Sequence, residues 1–82
     1  MLIIDKLKQY NFSTSEKIVA DYIISQREKI KDQTTKQIAK ATFTSPSTLV
    51  RIAQKLNYSG WNELKEDYLK EIEYLNNNLS VH

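Results

Sequence analysis

Leu49, Ile52, Ala53 and Leu56 recur at i, i+3, i+4 and i+7, directly after a Ser45-Pro46 pair. Each residue of an α-helix turns about 100°, so this spacing gathers all four on one stripe, whereas a strand would divide them between two faces. Serine is a favourable N-cap, and proline at the first helical position loses only an N–H that has no intrahelical acceptor. Asn57 marks the far end, because asparagine tolerates the left-handed conformation of a C′ residue better than most side chains. One face of this helix must be buried, and the rest of the chain has to cover it.

Similar punctuation recurs upstream. Ser13-Thr14-Ser15-Glu16 and Thr34-Thr35-Lys36-Gln37 both read as capping boxes, where the hydroxyl accepts from the amide three residues on and the Glu or Gln reaches back. The first opens a helix to about Gln26 that is expected to bury Ile18, Val19, Tyr22 and Ile23. The second opens a short helix ending near Ala41, with Ile38 and Ala39 turned inward. An earlier helix, Leu2 to Tyr10, rests on Ile3, Leu7 and Tyr10 and is broken by Asn11-Phe12. Arg27 to Gln33 is a polar connector with a turn of helix around Lys29-Ile30. Ser59-Gly60 turns the chain into a last helix, Trp61 to Leu75, whose Trp61, Leu64, Tyr68, Ile72 and Leu75 lie near one stripe.

Glycine and proline occur once each, and no segment alternates or repeats. The expected class is therefore all-α, a small bundle of about five helices. One domain is expected over residues 1–75, with 76–82 a tail or the start of a linker. No cysteine is present, which rules out a disulfide framework or thiolate metal site and suits a reducing cytoplasm. Leu2-Ile3-Ile4 stops at Asp5, too short for a secretory signal or for the roughly 20 apolar residues of a membrane span. A soluble, cytoplasmic protein is expected. There is no Gly-rich phosphate loop, nucleophile–base pair or metal-ligand cluster, and the one histidine, His82, stands alone in the tail. Neither an enzyme nor a cofactor is expected.

Charge is distributed unevenly. From Met1 to Gln26 three bases balance three acids; from Arg27 to Tyr58 seven bases meet two acids; from Ser59 onward two bases face five acids. Between Asp32 and Glu63 no acidic residue occurs. A basic middle in a nearly neutral chain points to a polyanion meeting one face. The acids of the last helix read as a solvated face.

The helix that begins at Pro46 makes this specific. Opposite its apolar stripe stand Ser47, Arg51 and Gln54, flanked by Val50, Thr48 and Lys55. Short hydroxyls, an amide and two cations without a carboxylate suit entry into a DNA major groove. Ala39 precedes Leu49 by ten residues, the spacing of a helix-turn-helix, and a small side chain there lets two helix backbones approach closely. The contact residues expected are Lys36, Ser45, Pro46, Ser47, Thr48, Arg51, Gln54 and Lys55. Lys36 serves as a phosphate attractor, and Arg51, with no carboxylate expected nearby to neutralise it, either pairs with a guanine edge or clamps phosphate. Thr48 could instead bond back to its own helix. Phe43 occupies a turn position where glycine is common; a bulky residue with positive φ is strained, so Phe43 is expected to avoid that geometry and pack inward. The alternative is a helical protein-interaction module that assembles through the Trp61–Ile72 stripe.

Thr34 to Lys65, TTKQIAKATFTSPSTLVRIAQKLNYSGWNELK, resembles the N-terminal domain of RpiR-type transcriptional regulators. The resemblance is carried by Ser45, Thr48, Leu49, Arg51, Lys55-Leu56, Tyr58-Ser59-Gly60 and Trp61, and upstream by Ser13 to Ile23, with Asn57 where that family usually has glycine. It implies a homeodomain-like helix-turn-helix that binds palindromic double-stranded DNA as a homodimer. It also implies a separate C-terminal sugar-isomerase-like domain that senses a phosphosugar.

Overall fold

The computed structural model describes residues 2–79. Five α-helices follow one another: α1 (Ile3–Gln9), α2 (Thr14–Gln26), α3 (Thr35–Thr42), α4 (Pro46–Lys55) and α5 (Trp61–Leu79), with a 3-10 turn at Arg27–Asp32 between α2 and α3. The tail residues 80–82, with His82, lie outside the described residues.

Both capping boxes form. Ser13 Oγ accepts from the Glu16 amide at 3.3 Å while Glu16 Oε1 accepts from the Ser13 amide at 3.0 Å. Thr34 and Gln37 repeat the exchange at 3.1 and 2.8 Å. Ser45 caps α4 differently from expectation. Its hydroxyl bonds no amide and instead shares a hydrogen bond of 2.8 Å with Ser47 Oγ. The Thr48 amide that it would have capped already donates to the Ser45 carbonyl at 3.0 Å.

The core holds all four residues of the α4 stripe, Ile38 and Ala39 of α3, Val19, Ala20 and Ile23 of α2, and Trp61, Leu64, Tyr68 and Ile72 of α5. Ile30 from the 3-10 turn is fully buried among them. α2 departs from expectation: Ile18 is exposed and Tyr22 only half-buried. The inward stripe is instead Glu16, Val19, Ala20 and Ile23, again at i, i+3, i+4 and i+7. A carboxylate occupies the place on that stripe that leaves Ile18 facing out.

α5 runs to Leu79, past the expected end at Leu75. Its apolar stripe is consumed by the chain's own core, so Trp61 and Ile72 offer no assembly face, which removes the basis of the interaction-module reading. Its acids are also more than a solvated face. Glu71 accepts from the Ile3 and Ile4 amides at 2.6 and 2.9 Å, satisfying donors that the start of α1 leaves without intrahelical partners. Glu63 accepts from the amide and hydroxyl of Ser59. Asp67 accepts from the Tyr58 hydroxyl, and burial together with that carboxylate pushes the Tyr58 phenol up to about 12.

Candidate nucleic-acid interface

α3 and α4 form the corner. α3 closes when the Thr44 amide reaches back to the Ala39 carbonyl at 2.9 Å, the Schellman pattern, which requires a left-handed residue in between. That residue is Phe43, at φ 56° and ψ 39°, and its side chain is 96% exposed. Both parts of the expectation for Phe43 are overturned. Thr42 is buried at this end of α3, its Oγ1 donating to the Ile38 carbonyl at 2.8 Å, and the aromatic ring of Phe43 is left outside. α4 ends in the same way: the Tyr58 amide bonds the Ala53 carbonyl at 2.9 Å, with Asn57 at φ 71° as expected from the sequence.

Burying Leu49, Ile52 and Ala53 fixes the rotation of α4. Ser45, Pro46, Ser47, Val50, Arg51 and Gln54 are thereby exposed, and Lys55 is half-buried at the edge. Lys36 is exposed on α3. Thr48, among the sequence-derived contact residues, does not reach the surface: it is 2% exposed, and its Oγ1 accepts from Arg51 Nη2 at 3.2 Å. Its hydroxyl serves Arg51 rather than solvent.

Arg51 itself is not as isolated as its sequence neighbourhood implies. Its Nε donates to Glu16 Oε2 at 3.3 Å, and its Nη1 donates to Ser47 Oγ at 3.4 Å. Lys55 Nζ donates to the other oxygen of the same carboxylate. Glu16 comes from α2, 35 residues before Arg51, so no inspection of the acid-free window could have placed it there. The one available signal was the capping box, which identifies Glu16 as a residue at a helix start but not what lies opposite.

The Glu16 side chain is 3% exposed, whereas those of Arg51 and Lys55 are 50% and 37% exposed. Burial alone would push the carboxyl up. Donation from Lys55, the Ser13 amide and Arg51, together with the Lys55 charge, outweighs burial and holds Glu16 at about 2. It is ionised throughout the physiological range. The face of α4 is thus a pair of half-exposed cations anchored from behind by one buried anion, with Ser47, Val50 and Gln54 beside them. Such a face can offer donors to phosphate or base edges while keeping its own carboxylate away from solvent.

No helix among the described residues is long and apolar enough to cross a membrane. The family model described as a helix-turn-helix domain, rpiR family, matches residues 1–76. No solved structure matches the chain.

Proposed function

The chain belongs to the rpiR family of helix-turn-helix domains, a family of DNA-binding transcription regulators, and from that premise we propose that α4 is its recognition helix for sequence-specific binding to double-stranded DNA. The observation that carries this reading is the division of α4. Its Leu49–Ile52–Ala53 stripe is closed into the core, and Ser47, Val50, Arg51 and Gln54 stand free of it. Gln54 and Arg51 carry the donors and acceptors that discriminate purines in the major groove, and Val50 suits a thymine methyl group. Ser45, Pro46 and Ser47 form the leading turn, where the serine hydroxyls and the positive end of the helix dipole favour phosphate. Lys36 and Lys55 supply charge at the margins, and Thr48 supports Arg51 from beneath.

In this reading residues 1–75 form the DNA-binding domain, and α5 carries the chain on from it to Leu79. The full-length regulator works in the cytoplasm as a homodimer on a palindromic site, because one recognition helix covers too little DNA for tight binding. A separate domain senses the phosphosugar. These finer points rest on the family resemblance.

The test is a comparison of two variants on the duplex that the chain itself selects from a random library. Gln54→Ala should cost about 1–3 kcal/mol on that duplex and relax preference at one base position. Lys36→Ala should weaken all duplexes alike and reduce the salt slope by about one unit. If a folded Gln54→Ala chain keeps the parent's affinity and preference, α4 is not the reading helix.

A further inference from the structure

We propose that Glu16 is a positioning residue for DNA readout: from behind α4 it fixes the direction of the Arg51 guanidinium and offsets part of the face's charge, so that the helix distinguishes sequences instead of adhering to any duplex. The inference rests on the assignment of α4 as the recognition helix.

Two independent observations carry it. The first is geometric. A guanidinium has five N–H donors, and three nitrogens of Arg51 are each committed within the protein: Nε to Glu16, Nη2 to Thr48 and Nη1 to Ser47. These three contacts restrict the rotation of the guanidinium, and one N–H on each terminal nitrogen is left for a partner outside. Binding then has little side-chain freedom left to remove, which is how preorganisation favours the matching ligand. The anchor is itself held: Glu16 Oε1 is fixed by the Ser13 amide as well as by Lys55.

The second observation is the choice of a carboxylate. The box at the start of α3 does the same local task with Gln37, a neutral amide. Capping α2 therefore does not call for a charge. The negative charge of Glu16 instead meets two cations on a different helix. Arg51, Lys55 and Glu16 sum to a single positive charge, where the two bases alone would present two. Unbalanced cations strengthen binding to every phosphate backbone equally and add nothing to discrimination.

The test uses the whole chain with its library-selected duplex and a scrambled duplex of equal length. Glu16→Gln keeps the capping box, since glutamine serves there too, but removes the anchor's charge. It should bind the scrambled duplex more tightly and raise the salt slope by up to about one unit. The ratio of selected to scrambled affinity should fall at least about five-fold, the low end of what one base contact contributes. Glu73→Gln, which changes the net charge equally but lies on the exposed side of α5, should leave that ratio unchanged. A folded Glu16→Gln chain with the parent's ratio overturns the proposal, as does an equal fall in Glu73→Gln, which would reduce the effect to net charge. The parent supplies a readout that needs no variant. The Arg51 Nε–H resonance of the free chain should be shifted and protected from exchange; one that averages like a free arginine overturns the proposal. A parent chain that selects no duplex at all contradicts the recognition-helix assignment instead, and the Nε–H measurement still reports on the anchor.

Discussion

At the start of α2, Glu16 reaches back to the Ser13 amide; at the start of α3, Gln37 reaches back to the Thr34 amide at nearly the same distance. As local motifs the two boxes are equivalent, each satisfying two donors that a helix start leaves unpaired. Their surroundings differ. Glu16 is buried against α4 and accepts from Arg51 and Lys55, whereas Gln37 is exposed and its side chain, among the described residues, bonds only within its own box. The motif determines where a helix begins; the charge and burial of its last residue determine whether it also couples two helices.

The largest effect that can break this comparison is truncation of both boxes. Glu16→Ala removes half of a capping box and the shared acceptor of Arg51 and Lys55, which should cost about 1–3 kcal/mol. Gln37→Ala should cost only about 0.5–1 kcal/mol, the ordinary loss of a cap contact. Urea unfolding of the two variants measures both, and equal losses would mean that the cations do not depend on Glu16.

A smaller effect separates the boxes by pH. Glu16 is held at about 2 in the folded chain against an ordinary value of 4.5. Because the folded value is depressed, its contribution is complete above the unfolded value and is lost as pH falls from there toward 2. The shift corresponds to at most roughly 3 kcal/mol, and solvent screening of two half-exposed cations reduces it further. The parent should therefore lose more stability between neutral pH and pH 3 than Glu16→Gln does, while Gln37→Glu, whose new carboxylate would be exposed, should add little to that acid limb. Parallel acid limbs for parent and Glu16→Gln would contradict the depressed value.

The smallest effect concerns the two left-handed closures. Phe43 and Asn57 occupy the same kind of position, but only asparagine accepts it readily. Phe43→Gly should stabilise the chain by about 1 kcal/mol, since the exposed ring contributes no packing, and Asn57→Gly by a few tenths at most, about the scatter of a cap substitution. For a domain of this size the former corresponds to a rise in Tm of roughly 4–8 °C. A fall in Tm for Phe43→Gly would show that the ring does have a partner.

These residues also show what could be read in advance. The stripes of α4 and α5 and both boxes depend on neighbours within one or two helical turns, and the structure keeps them except at Leu75, which is only half-buried. Ile18 and Phe43 go against expectation because neither the hydrophobicity of Ile18 nor the left-handed strain of a bulky Phe43 decides its placement by itself. The orientation of α2 follows the inward stripe Glu16, Val19, Ala20 and Ile23, and α3 closes through the Thr44 amide on the Ala39 carbonyl. Thr48 and the Glu16 anchor depend on contact between α2 and α4, a pairing that helical periodicity within either segment does not specify. The site was legible as a face of one helix, but not the residue behind it.

The central claim is that the outward face of α4 meets duplex DNA. It is tested most directly by following the backbone amide resonances of the whole chain as the selected duplex is added. The account predicts that the largest changes fall on Ser45, Ser47, Val50, Arg51 and Gln54, with smaller ones at Lys36 and Lys55. Changes concentrated on α1 or on the acidic side of α5, with α4 unmoved, would contradict it.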